Sequence, residues 1–231
     1  MAIKAVLWDV DGTLLDFLAA ERVAIRACFE SFGLGKCTDE MIARYSKINV
    51  EHWKRLEYGE LTRDEVMLGR FEEFFASEGL SADVPAFNDE YQYRLGDTIC
   101  FIDDAYELVK RLRSRVRQYA VTNGSYTAQK RKLTRSGLIE LFDGVFISEQ
   151  VGFDKPRPEF FDYVFAHIPA FAREEVLIVG DSLTSDMRGG NSAGIKCCWY
   201  NPGHSENSAG VQLDYDIDNL RRVEEIASAA E

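Results

Sequence analysis

Histidine and cysteine are scarce in this chain of 231 residues, which has 3 His and 5 Cys. The histidines have no partner at metal-ligand spacing, and the cysteines are odd in number and lack a Cys-x-x-Cys pair. Both facts argue against a zinc site or a redox dithiol. We expect the cysteines to be buried free thiols: Cys28, Cys37, Cys100, Cys197 and Cys198.

The chain also lacks long apolar runs and an excess of positive charge. No stretch approaches the roughly 20 apolar residues of a membrane span, and the N-terminus has no signal-peptide pattern. We therefore expect a cytoplasmic protein, a monomer or homodimer that does not bind membranes. The 27 Lys and Arg against 39 Asp and Glu give a net charge of −12, which disfavours polymeric nucleic acid as a partner. An anionic substrate would need a local cation, either a metal ion or a few placed basic residues.

What the chain does contain is typical of a globular enzyme, with 46% hydrophobic and 29% charged residues. A first apolar strand ends near Trp8, and helical periodicity then runs from 17 to 97. Beyond that point helices alternate with apolar strands, which is the pattern of a parallel sheet covered on both faces. We predict an α/β fold with a Rossmann-like core, residues 1–16 and 98–231, and an inserted helical bundle, residues 17–97.

Capping signals support four helices in the insertion. Asp16 and Thr38 are placed to cap the first two helices, and Thr62 with Glu65 forms a capping-box pattern before the third. Gly79 is placed to end the third helix, and a fourth follows. Such helices can bury their apolar faces only against one another, so a small bundle is the simplest arrangement.

Two carboxylates leave the end of the first strand, Asp9 and Asp11 in the run Asp-Val-Asp-Gly-Thr. Open α/β sheets hold their ligands at the carboxyl ends of the strands. The first acid is placed to attack a substrate, and the second, one pleat repeat further on, can deliver or accept a proton.

Three more polar clusters follow later strands and are expected at the same edge of the sheet. Thr122 and Asn123 precede a helix start that suits a phosphate oxygen, although each fits a plain helix cap as well. Lys155 lies at the mouth of a loop. Asp181 ends another apolar strand, and Asp186 lies in the first turn of the helix that follows it. Four acids in one crevice would repel each other strongly without a cation, and hard oxygen ligands suit Mg²⁺.

These motifs together resemble the haloacid dehalogenase superfamily, over nearly the whole chain. The residues that carry the resemblance are Asp9-x-Asp11-Gly12-Thr13, Thr122, Lys155-Pro156 and Gly180-Asp181-Ser182-x-x-x-Asp186. The family has a Rossmann-like core and a mobile cap, here of the helical type inserted after the first motif. Four modest motifs in the right order are far more specific than any one of them.

The resemblance implies a role for each residue. Asp9 would be the nucleophile that carries an aspartyl phosphate, and Asp11 would protonate the leaving oxygen and then activate water. Thr122, Asn123 and Lys155 would bind the phosphoryl group. Mg²⁺ would be held by Asp9, by the Asp11 backbone carbonyl and by Asp181, with Asp186 either a ligand through water or a partner that orients Lys155.

Asp11 favours phosphate esters over carbon–halogen bonds, because a halide leaving group needs no proton. Phosphonate hydrolases and sugar phosphomutases share the core and stay open. A non-enzymatic phospho-receiver would be about half this length with no helical insertion, and a silent binding module would not be expected to keep all four motifs.

Within the superfamily, two runs resemble the bacterial pyrimidine 5'-nucleotidases: Ile147 to Gly152, and Gly189 to Asn201. This resemblance implies nucleoside monophosphates as substrates, with sugar phosphates or phosphoglycolate as the alternative. The cap should select the substrate because it covers the phosphate site. Candidates are Asn49 and Trp53 on the second helix and Phe17 at the hinge. Each also has a structural interpretation: a hydrogen bond between cap helices for Asn49, core packing for Trp53 and hinge packing for Phe17.

Overall fold

The computed structural model describes residues 2–228. Six parallel strands form one sheet in the order β3-β2-β1-β4-β5-β6. The strands are β1 Ala5–Trp8, β2 Arg117–Thr122, β3 Gly144–Ile147, β4 Val176–Gly180, β5 Lys196–Tyr200 and β6 Tyr215–Ile217. The helices are α1 Phe17–Ser31, α2 Asp39–Glu57, α3 Arg63–Glu78, α4 Val84–Asp97, α5 Ala105–Leu112, α6 Tyr126–Arg135, α7 Ser148–Val151, α8 Pro158–Ala166, α9 Arg188–Ala193 and α10 Arg222–Ser228. The predicted α/β class with a parallel sheet is confirmed.

Strand β1 lies at the centre of the sheet and is buried on both faces. Val6 and Trp8 pack with residues of α5 and α10 on one face, whereas Ala5 and Leu7 pack with residues of α8 on the other. This alternation follows from the two-residue period of a strand. Because helices cover both faces of the sheet, a ligand can reach β1 only at the ends of the strand.

The strand order brings the predicted site together. Trp8 pairs with Ala120 of β2 on one side and with Val179 of β4 on the other. The residues that follow β1, end β2 and follow β4 therefore meet at the carboxyl edge of the sheet. These are Asp9, Thr122 and Asp181.

The caps of the inserted helices form as predicted. The Asp16 carboxylate accepts a hydrogen bond from the Ala19 backbone N–H at 2.9 Å, and Thr62 makes a full capping box with Glu65. Gly79 ends α3 in the left-handed conformation, with φ of 64°. All four helix starts satisfy backbone N–H groups that would otherwise lack partners.

Helices α1 to α4 enclose an apolar cluster of their own. At its centre the Tyr45 ring stacks on Phe71, with ring centroids 5.2 Å apart and an interplanar angle of 8°. The chain enters and leaves this bundle through adjacent segments, because the Asp16 N–H donates to the Cys100 carbonyl at 2.8 Å. We propose on these grounds that residues 17–97 are a cap domain and that 1–16 and 98–231 are the core, although residues 1 and 229–231 lie outside the described part.

One predicted helix, 184–193, begins differently from expectation. The backbone N–H groups of Asp186 and Met187 both donate to the Ser182 carbonyl at 3.1 Å, so the first turn, Leu183–Met187, is a widened π-helical turn. Strand β6 was not predicted, because three residues at the sheet edge give too short a pattern.

Among residues 2–228, none of the helices combines the length and the apolar character needed to cross a membrane. The cytoplasmic location stays a prediction.

Candidate active site

Asp9 forms the floor of the cleft at the end of β1. Its side chain is 9% exposed, and its two carboxylate oxygens have different partners. The Thr13 hydroxyl donates to Oδ2 at 3.0 Å, and the Lys155 ammonium donates to Oδ1 at 2.9 Å. Burial raises the pKa of Asp9 to about 7, against the opposing charge of Lys155. The carboxylate is thus held in place with little solvent around it.

Lys155 is a fully enclosed cation that joins three elements. Besides Asp9, its ammonium donates to Asp186 Oδ1 at 2.6 Å and to the Val121 carbonyl at 2.8 Å. Burial alone would lower the pKa of Lys155, but the charges of Asp186 and Asp9 outweigh it and raise the pKa. Lys155 therefore stays charged and can face an anionic group in the cleft.

Asp181 and Asp186 extend the acidic floor from β4. The Asp181 side chain faces the cleft, yet the surrounding protein, together with the charges of Asp9 and Asp186, raises its pKa well above the usual range. Gly12 leaves room for this carboxylate, since a Cβ at Gly12 would lie 2.5 Å from Asp181 Oδ2. Gly12 also has φ of 88°, a backbone conformation that favours glycine.

The acidic floor fits a divalent cation. Asp9, Asp181 and Asp186 offer carboxylate oxygens that all lie within 4.8 Å of one another. Burial and the neighbouring carboxylates raise the pKa values of Asp9 and Asp181 in spite of the positive charge of Lys155. Hard oxygen donors in a partly open cleft are the ligand set that Mg²⁺ takes in proteins.

Asp11 stands two residues beyond Asp9 and is held from α6. Gln129 donates to Asp11 Oδ2 at 2.5 Å, and the Lys132 ammonium contacts Asp11 Oδ1. Both partners are 1% exposed. Neither was predicted from the sequence, although their i, i+3 spacing on the helix after Thr122 puts them on one face.

Thr122 and Asn123 end β2 beside the acidic floor. The Thr122 hydroxyl is buried and accepts a hydrogen bond from the Gly124 N–H at 3.2 Å. The Asn123 side chain bonds the backbone of Lys155 twice, at 2.8 Å each, through its amide N–H and its carbonyl oxygen. Asn123 thus fixes the position of Lys155 through both polar groups of its side chain.

A cavity of about 630 Å³ lies between this floor and helices α1 to α4. Phe17 and Trp53, two of the three predicted cap residues, line its wall together with Leu18 and Val50. Leu18 and Val50 are each 58% exposed, so apolar surface surrounds the entrance. Trp53 is partly exposed to the cavity and is not the plain core residue that its helical stripe also allowed.

Asn49, the third cap residue, is bonded inside the helical bundle. It is 1% exposed, its amide donates to Glu21 at 2.9 Å, and its carbonyl accepts from Arg70 at 2.9 Å. Of the two interpretations of Asn49, the structure shows the hydrogen bond between helices of the bundle. A buried amide is tolerated in the apolar stripe of α2 because polar groups of α1 and α3 satisfy its hydrogen bonds.

Arg63 of α3 connects the helical bundle to the loops that carry Asn123 and Asp154. Its guanidinium donates to the Asn123 carbonyl at 2.9 Å and also contacts Ser148 and Asp154. Asn123 follows Thr122 and Asp154 precedes Lys155, so one side chain of α3 bonds the neighbours of both Thr122 and Lys155. No pattern in the sequence pointed to Arg63, since it lies among ordinary capping residues.

Comparison with known proteins decides the family. Residues 3–194 match the family described as haloacid dehalogenase-like hydrolase. The chain belongs to this family. The resemblance drawn from the four motifs is confirmed, and this haloacid dehalogenase-like hydrolase is an enzyme, as predicted.

Relatives of this hydrolase match it over nearly their whole length. It is 40% identical over 223 residues to the HAD-hydrolase YfnB of Bacillus subtilis, covering 96% of this chain and 93% of that protein. It is 37% identical over 218 residues to the pyrimidine 5'-nucleotidase PynA of Streptococcus pneumoniae, with 94% and 92% covered.

Solved structures agree with the fold. The magnesium-bound crystal structure of YfnB from Bacillus subtilis, which reveals interdomain movement, superposes with a TM-score of 0.93 at 39% identity, covering 99% of this hydrolase and 100% of that chain. The L-2-haloacid dehalogenase of Xanthobacter autotrophicus has a TM-score of 0.78 at 18% identity, which shows a shared fold only.

Proposed function

We propose that this hydrolase is a Mg²⁺-dependent phosphomonoester phosphatase that works through an aspartyl phosphate on Asp9. The observation that carries the proposal is the pairing of Asp9, held beside Lys155, with a second carboxyl group, Asp11, at the same strand end. Cleavage of a phosphate ester through a covalent intermediate needs a nucleophile and a proton donor close together, and the two-residue spacing places both groups at one strand end.

In the proposed reaction an Asp9 oxygen attacks phosphorus, and the bond from phosphorus to the leaving oxygen breaks. Asp11 gives its proton to that oxygen and later takes one from the water that attacks the aspartyl phosphate. Lys155, the Thr122 hydroxyl and the Asn123 N–H bind the phosphoryl oxygens. A bound Mg²⁺, held by Asp9, the Asp11 carbonyl and Asp181, would neutralise negative charge on the phosphoryl group. Asp186 holds Lys155 directly, so we assign it the orienting role.

Metal binding is expected to stabilise the protein independently of any turnover. Adding Mg²⁺ at about 100 times its dissociation constant should stabilise the folded state by about 2.7 kcal/mol, because only the folded chain brings the acids of the floor together to bind the ion. The measurement is the Tm, by differential scanning calorimetry after chelation, with and without the ion.

Asp181→Asn is the matched variant for this measurement. It should abolish most of the Mg²⁺-dependent rise in Tm, whereas Asp104→Asn, on the protein surface, should leave the rise intact. An equal rise in the Asp181→Asn protein would contradict the assigned metal site.

We further propose nucleoside monophosphates, with a preference for pyrimidines, as the substrates. The cavity of about 630 Å³ has room for a sugar and a base beyond the phosphate. Phe17 and Trp53 offer aromatic surfaces on which a base can stack. The relatives PynA and YjjG of Escherichia coli carry the name pyrimidine 5'-nucleotidase, and YjjG is 28% identical over 221 residues.

Trp53→Ala should separate the recognition of the base from the chemistry. We expect kcat/KM for a pyrimidine nucleotide to fall about tenfold, the loss of one aromatic contact, with turnover of a nitrophenyl phosphate nearly unchanged. Asn49→Ala is the contrast, since it breaks the bundle network and should lower the Tm. If kcat/KM of the Trp53→Ala protein fell equally for the nucleotide and for the nitrophenyl phosphate, the role of Trp53 would be packing within the cap.

The experiment that tests the substrate class is a comparison of kcat/KM across pyrimidine nucleotides, purine nucleotides, sugar phosphates and phosphoglycolate. Pyrimidine nucleotides should have the highest values. A wide margin in favour of sugar phosphates would refute the nucleotidase assignment and leave the phosphatase assignment standing.

A further inference from the structure

Glu57 is a carboxyl group in the cavity wall that the reaction above does not use. It is the last residue of α2, on the cap side, and it lines the same cavity as Asp9 and Lys155. Among the cap residues that the structure places on this wall within 2–228, it is the one that carries a carboxylate. The wall around it is otherwise largely apolar.

The two oxygens of this carboxyl group are in different situations. The Thr184 hydroxyl, in the turn after β4, donates to Glu57 Oε2. Oε1 has no hydrogen-bond partner among the described residues and is not enclosed by protein. One oxygen is thus anchored to the core, while the other is free to accept a hydrogen bond from a ligand group in the cavity that Glu57 lines.

Burial raises the pKa of Glu57 to about 7, with Thr184 and the charges of Lys155 and Arg188 acting in the opposite direction and Asp186 adding to the rise. The group is therefore mostly ionised at about pH 8. Arg70, a cation on the same wall, is 2% exposed and its guanidinium is bonded to Asn49 and Asn88. It is turned into the bundle network rather than paired with Glu57.

We propose that Glu57 determines specificity by accepting a hydrogen bond from a hydroxyl or amino group of the leaving group and by repelling leaving groups that carry a second negative charge. The assignment rests on the proposed phosphatase function. Glu57 would favour neutral leaving groups rich in hydroxyls, such as a sugar, over leaving groups that carry a carboxylate. A hydrogen bond to a charged group and a like-charge contact at a largely buried carboxylate both discriminate strongly.

The test uses two substrates of similar size, glycerol 1-phosphate and 3-phosphoglycerate, which differ chiefly in a hydroxymethyl group against a carboxylate. At about pH 8 the wild type should favour glycerol 1-phosphate in kcat/KM by about tenfold or more. Glu57→Gln, which keeps the shape and removes the charge, should reduce this ratio about tenfold, chiefly by raising activity on 3-phosphoglycerate. Turnover of a nitrophenyl phosphate should stay within about twofold of wild type.

Glu60→Gln, three residues along and exposed, is the matched control and should leave the ratio unchanged. Glu57→Ala is the second variant, and it should lose the preference in the same way. An unchanged ratio in Glu57→Gln or Glu57→Ala, with normal aryl phosphate turnover, overturns the role of Glu57 alone. If the wild type hydrolyses none of the three esters and no pyrimidine nucleotide, the phosphatase function and the Glu57 assignment are overturned together.

Discussion

Asp9→Asn is expected to reduce kcat by about 10⁴-fold or more, the largest loss for any single substitution in this protein. An amide in place of the carboxylate is a poor nucleophile toward phosphorus, so no covalent intermediate should form. Steady-state turnover of a nitrophenyl phosphate is the measurement. Because the amide retains the shape of the side chain, Asp9→Asn should lower the Tm much less than the removal of Lys155 would.

Asp16→Asn is the matched control for this substitution. Asp16 lines the same cavity and caps α1, a position where Asn is as good a cap as Asp. Its turnover should stay close to that of the wild type. Normal turnover by Asp9→Asn would remove the basis of the proposed reaction.

Asp11→Asn should be the second most damaging change, with a loss of about 10²- to 10⁴-fold in kcat, the usual contribution of a placed proton donor and acceptor. The loss should divide unequally between the two steps. A nitrophenolate leaves without a proton, so the first step should survive for an aryl phosphate, while the attack of water on the aspartyl phosphate should be slow.

The expected signature of Asp11→Asn is a rapid burst of nitrophenolate followed by slow turnover. The comparison substrate is an alkyl phosphate, for which the first step also needs the proton and no burst should appear. Identical behaviour of the two substrates would show that Asp11 does not transfer the proton to the leaving group.

Much of this arrangement could be predicted from the sequence, because it depends on local signals. Asp9, Thr122 and Asp181 directly follow or end apolar strands, and parallel strands bring such residues to one edge. The four cap helices were equally accessible, since their start and stop residues are adjacent in the chain.

What the sequence could not supply are contacts between distant side chains. Gln129 and Lys132 hold Asp11 from more than a hundred positions away, and Glu57 meets Thr184 across the cleft. Contacts of this kind leave no pattern along the chain that would show which residues meet. Asn49 is a different case. An amide in an apolar stripe predicts that a hydrogen-bond partner exists, but only the fold shows that the partners are Glu21 and Arg70.

The most direct test of the central claim is to trap the phosphoryl group on the enzyme. Asp11→Asn protein mixed with substrate and Mg²⁺, then quenched in acid, should carry one phosphoryl group on the peptide that contains Asp9 in its mass spectrum. The Asp9→Asn protein should carry none. A phosphoryl group mapped to another residue, or rapid release of phosphate with no labelled enzyme at any time, would contradict the account.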